Sequence, residues 1–118
     1  MRELSEVIRE MRARRLEEAL RMMKAYLAKL SRHIEVREAY LFGSIARGDS
    51  LDVSDIDLLV VSPSVHGLRK DERISLAYRA WKFEKAADIF LLTPEEFKRA
   101  LEHSVVLRDA SRYWIKIL

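Results

Sequence analysis

Two carboxylates stand two residues apart in Asp55-Ile56-Asp57, directly ahead of the apolar run Leu58-Leu59-Val60-Val61. On a strand, residues i and i+2 share a face, so both acids project together while Ile56 points the opposite way. Unpaired carboxylates so placed repel each other, and a divalent cation relieves the repulsion. Hard oxygen ligands suit magnesium, which takes one or two carboxylates together with substrate phosphates. Upstream, Gly43-Ser44 follows the run Tyr40-Leu41-Phe42. Glycine lets a turn come close to a ligand, and adjacent N–H groups with a hydroxyl at a helix start form a cradle for an anion. Arg47 adds a cation one turn further on, and Asp88 is a third acid opening the otherwise apolar Ile89-Phe90-Leu91-Leu92. Singly, each has a plainer reading: a turn, a solvated strand edge, a turn residue, a surface cation. In this order and spacing they point together to a polyphosphate and a divalent cation.

The elements that must position these residues are legible from periodicity. Nothing breaks a helix from Leu4 to about His33, and residues 1–35 are expected as one long N-terminal helix. Leu16, Leu20, Met23, Leu27, Leu30 and Ile34 draw one stripe along it. An earlier stripe of Leu4, Ile8 and Met11 is out of phase across Arg14-Arg15, so these first turns are expected to face something other than the domain's own core. Val36 to Phe42 switches to a strand ending at Gly43, and Ser44 to Arg47 opens a short helix before the polar loop Gly48 to Ser54. Ile56 to Val61 is a second strand, stopped by Ser62-Pro63. Lys70 to Lys85 reads as a helix carrying Ile74, Ala77, Tyr78 and Trp81, and Asp88 to Leu92 as a third strand. Thr93-Pro94-Glu95-Glu96 starts the next helix, with Thr93 as N-cap, Pro94 at the first helical position and Glu96 closing a capping box. Ser104 to Leu118 is expected as a final helix. The layout is α/β (α+β): residues 1–118 as a single domain, one small mixed sheet covered by helices.

The runs Leu41-Phe42-Gly43-Ser44-Ile45-Ala46-Arg47-Gly48 and Ser54-Asp55-Ile56-Asp57-Leu58-Leu59-Val60 resemble the signature of the DNA polymerase beta-like nucleotidyltransferase superfamily. The closer resemblance is to its minimal nucleotidyltransferases, small prokaryotic proteins commonly encoded beside a helical HEPN-domain protein in toxin–antitoxin pairs. The match spans about Tyr40 to Val61, and Ala87-Asp88-Ile89-Phe90 with Thr93-Pro94-Glu95-Glu96 extends it. The resemblance implies that Gly43 and Ser44 hold the triphosphate of ATP or another NTP. Asp55 and Asp57 would bind magnesium, one ion on the triphosphate and a second near the acceptor hydroxyl. Asp88 would complete the metal site and help activate that hydroxyl. Arg47 would contact phosphate or stabilise the loop, and Ser54 would support the turn. It implies an AMP group moved to a hydroxyl of a HEPN-type partner. The competing reading is a catalytically weak module that neutralises the partner by contact. Larger superfamily members carry a separate helical domain for base and acceptor, whereas here the residues after Val61 are needed to finish the fold.

Bulk composition narrows the classes further. At 118 residues there is room for one core, and 49% apolar residues suffice to fill it. The net charge of +3 is mildly basic and interspersed. It suits a polyphosphate or an acidic partner, and nucleic acid is not expected. The chain has no cysteine, which excludes disulfides and thiolate metal sites. It begins with charged residues and contains no apolar run of spanning length, so a cytoplasmic protein with no membrane association is expected. Absence of Asn and Gln beside abundant Arg, Lys and Glu is the compositional bias of thermophiles. Tyr78, Trp81, Phe83 and Trp114 are spaced as core or interface aromatics rather than as a base-stacking box. A homo-oligomer is a further expectation from the spare apolar stripe.

Overall fold

The computed structural model describes residues 2–48 and 55–118. Residues 49–54 of the expected loop, Ser54 among them, lie outside them. The first helix, α1, spans Leu4–Leu30, and its buried residues, Ala19, Met23, Tyr26, Leu27 and Leu30, all fall beyond Arg15. Leu16 and Leu20 pack against the same core, and Ile34 is buried beyond the helix end. The long stripe therefore faces the domain as its spacing requires, while Leu4 and Met11 stay exposed. The helix is shorter than the 1–35 expected: Ser31 closes it and residues 31–34 turn, with His33 and Ile34 both donating to the Leu30 carbonyl. That turn drops Ile34 into the core below the last helical residues.

Four strands form one mixed sheet in the order β3-β2-β1-β4. They are β1 (Glu38–Phe42), β2 (Ile56–Val61), β3 (Ala87–Leu92) and β4 (Ile115–Lys116). β1 runs antiparallel to both β2 and β4, and β2 runs parallel to β3. The short helix α2 (Gly43–Arg47) follows β1 directly, and α3 (Lys70–Arg79) makes the crossover from β2 to β3. A single 3-10 turn at Pro63–Val65 leads away from β2. The helices α4 (Pro94–His103) and α5 (Val105–Ala110) follow β3. The α4 capping box forms as its sequence demands: Glu96 N–H donates to Thr93 Oγ1 at 3.1 Å and Thr93 N–H to Glu96 Oε1 at 2.7 Å.

Strand alternation sorts the core into two layers. Ala39, Leu41, Ile56, Leu58, Val60, Ile89 and Leu91 pack on the face covered by α1 and by Ala77 of α3. Tyr40, Leu59 and Val61 pack on the opposite face with Phe97 of α4, Leu107 of α5 and Trp114. Two expectations are corrected here. The helix expected over Lys70 to Lys85 ends at Arg79, because Trp81 turns inward: its ring meets Tyr26 and Phe83 edge-on and its Nε1 donates to the Lys85 carbonyl at 2.9 Å. The tail is not one helix: after α5, Ile115 and Ile117 alternate inward beside Lys116, and this period of two joins β4 to Tyr40 and Leu41. Trp114 stacks on Tyr40 with ring centroids 4.2 Å apart, which fixes that register.

Candidate active site

Phe42, Asp57 and Asp88 form one row across the sheet, since Phe42 pairs with Asp57 and Asp57 with Asp88 in the strand registers. Side chains of laterally paired residues share a face, so the two acids lie beside each other on the face opposite α1 and α3. Ile56 and Leu58, flanking Asp57, are buried on the other face and hold the strand down. One residue earlier than the strand, Asp55 is exposed, and its charge still acts on Asp57. Among the described residues no three His, Cys, Asp or Glu side chains are gathered tightly enough to cage an ion by themselves.

Electrostatics mark Asp57 as the centre of the group. Burial, then repulsion from Asp88 and from Asp55, pushes its carboxyl up to about 6, with Arg47 acting in the opposite sense. A half-buried carboxyl crowded by two other acids is short of positive charge, and a divalent cation is the simplest supply of it. Asp57, with exposed Asp55 and Asp88 near it, could supply hard carboxylate oxygens of the kind magnesium takes.

Gly43 is fitted against this acid. Its φ is +77°, a left-handed conformation that glycine adopts without strain. A Cβ built there would collide with Asp57 Oδ2 and stand 3.0 Å from Asp57 Cγ. The absence of a side chain at Gly43 makes room for the acid. Ser44 follows in the first turn of α2 and Arg47 in its last, and the Arg47 charge reaches Asp57. Gly48 ends α2 in a left-handed conformation, its N–H donating to the Ser44 and Ile45 carbonyls.

Of the residues singled out in the sequence, Gly43, Asp57 and Asp88 come together most closely, with Asp55 and Arg47 within electrostatic reach of Asp57. One participant was not visible in the sequence. The Tyr78 hydroxyl on α3 donates to the Ala87 carbonyl at 2.8 Å and accepts from the Ile89 N–H at 3.1 Å, bracketing Asp88. The only signal was a tyrosine beside Ala77 on the helix preceding the acidic strand. The remaining aromatics are structural: Trp81 lies with Tyr26 and Phe83, and Trp114 with Tyr40 and Phe97.

Gly43 and Ser44 thus form a turn set against one of two adjacent acids on a four-stranded mixed sheet, an arrangement suited to nucleotidyl transfer. A family profile described as nucleotidyltransferase domain matches residues 20–116, and the chain belongs to that family. It is an enzyme of that class, of the polymerase beta-like kind. The chain is also similar to a crystal structure from Sulfolobus solfataricus described as a candidate nucleotidyltransferase. The identity is 28% and the TM-score 0.65, over 75% of this chain and 78% of that one. No curated protein matches the chain. The matched stretch takes in the whole sheet and every candidate site residue, and leaves the first turns of α1 outside it. Among the described residues, no helix is long and apolar enough to cross a membrane.

Proposed function

We propose that this chain moves AMP from ATP, in the presence of magnesium, to a hydroxyl on a HEPN-type helical protein, as the antitoxin half of a cytoplasmic pair. The observation that carries the chemistry is the placement of Gly43 against Asp57, with Asp88 in register beside it. The partner rests on the sequence resemblance and on the use of the residues after Val61 to finish the sheet and its cover.

Gly43 and Ser44 receive the triphosphate, and Arg47 adds positive charge to the same side. Asp55, Asp57 and Asp88 would hold the metal, which would supply positive charge to the triphosphate and the transferring group. The acceptor oxygen forms a bond to the α-phosphorus, and the bond from that phosphorus to the bridging oxygen breaks, so pyrophosphate leaves. Asp88, exposed at the edge of the row, takes the proton of the acceptor hydroxyl. The apolar N-terminal turns of α1, spare to the fold, serve assembly.

Incubation with magnesium, ATP and the protein encoded beside this one tests the reading. Label at the α-phosphate should appear on the neighbour, and label at the γ-phosphate should leave in pyrophosphate. Neutralisation of the neighbour with no label on it would favour contact alone.

A further inference from the structure

Among the described residues β3 is one of the two edge strands of the sheet, and Asp88 is only its second residue. Strand ends at an edge fray, because half of their backbone groups lack a neighbouring strand. Ile56 N–H donates to the Ala86 carbonyl at 3.0 Å and Ser62 N–H to the Leu92 carbonyl at 2.9 Å. Even-numbered residues of β3 therefore turn their backbone groups to β2, and odd-numbered residues turn theirs to the free edge. On that edge Tyr78 reaches the Ala87 carbonyl and the Ile89 N–H, and Arg73 Nη1 donates to the Leu91 carbonyl at 3.2 Å.

The two groups that Tyr78 holds belong to the two peptide units on either side of the Asp88 Cα. One hydroxyl thus fixes both planes that set the φ and ψ of Asp88, while β2 fixes the same residue from the other side. Tyr78 is itself anchored, since α3 is seated by Ala77, whose carbonyl accepts from buried Tyr26 at 2.8 Å. The segment entering β3 is tied by Trp81 Nε1 on Lys85. From this geometry we infer that Tyr78 is a positioning residue for Asp88, a side-chain clamp that stands in for the strand missing at the edge. In this role it acts through the aspartate. The inference rests on the proposed role of Asp88 as a metal ligand.

Tyr78→Phe removes the hydroxyl and keeps the ring, so the fold should survive. Hydrogen exchange reads the clamp directly: the Ile89 amide should lose about fivefold to tenfold of its protection, while amides of β1 keep theirs. Manganese(II) titrated onto the ATP-loaded full chain reads the consequence. Tyr78→Phe should weaken the weaker manganese several-fold and leave ATP affinity unchanged, and in an Asp88→Asn background it should add nothing. Unchanged Ile89 exchange in Tyr78→Phe would overturn the clamp. Equal loss of manganese in both backgrounds would make Tyr78 merely structural. Manganese binding indifferent to Asp88→Asn would instead overturn Asp88 as a ligand, and the positioning role with it.

Discussion

The backbone of Gly43 and the carboxylate of Asp57 occupy adjoining space across the β1–β2 pair, so that a side chain on one displaces the other. Gly43→Ala is expected to cost about 1–2 kcal/mol from the left-handed φ alone, with a further penalty as Asp57 is pushed aside. Magnesium-dependent ATP binding should be lost along with it. Thermal unfolding and calorimetric titration check both. An alanine variant that melted and bound as the wild type does would show that the contact does not govern the site.

Asp57 also gives the metal-free protein a pH-dependent stability. Its folded carboxyl is raised from 3.8 to about 6, so the protonated form is favoured by the fold. Nothing is lost below the unfolded value. Stability falls as pH rises through the window from about 4 to about 6, and the penalty then stays constant. Two units correspond to nearly 3 kcal/mol at full effect, and solvent screening at a half-buried group reduces this to about 1 kcal/mol. Asp57→Asn should therefore be the more stable protein by about that amount at pH 7.5 and no more stable at pH 4. Denaturant unfolding at the two pH values measures it, and magnesium with ATP should reverse the order at pH 7.5.

The placement of Asp57 was legible because a period-two pattern puts it on one face while Ile56 and Leu58 anchor the other, whereas Asp55, expected on the same strand face, stands ahead of β2. The N-terminal helix was legible for the same reason, since the Leu16 to Ile34 stripe maps onto the buried residues of α1 and what lies beyond it. The tail was not, because Tyr113 to Leu118 has too few residues to separate the two periods. Its strand character depends on pairing with Tyr40 and Leu41, seventy and more residues earlier in the chain. The role of Tyr78 was hidden in the same way, as its two partners are backbone atoms that only the fold brings to it.

Trp114 is the pivot of that tail. It stacks on Tyr40 and lies 5.9 Å from Phe97 between ring centroids. Trp114→Ala should cost about 2–3 kcal/mol, less than the truncation of a fully buried aromatic because Trp114 is half-buried, and should release β4 before the rest of the sheet. Hydrogen exchange at Ile117, whose N–H donates to the Ala39 carbonyl at 2.7 Å, reports the release.

The first turns of α1 contribute none of the helix's buried residues, and Leu4 is 74% exposed. Deleting residues 1–12 should leave the unfolding temperature within a few degrees and reduce self-association or partner binding. Light scattering and calorimetry measure the two effects. An unchanged particle mass and unchanged partner affinity would remove assembly from the role of this segment.

Transfer itself gives the most direct test of the site, and Asp88→Asn is the variant that isolates it. Asp57 lies beside the Gly43 turn proposed to receive the triphosphate, whereas Asp88 stands one strand further out. Removing an interaction made chiefly in the transition state lowers rate far more than it lowers affinity. With magnesium and ATP labelled at the α-phosphate, Asp88→Asn should keep nucleotide affinity within a small factor. Labelling of the neighbouring protein should meanwhile fall by orders of magnitude. Label appearing at the wild-type rate with Asp88→Asn, or no label with either protein while the neighbour is still silenced, would contradict the assignment.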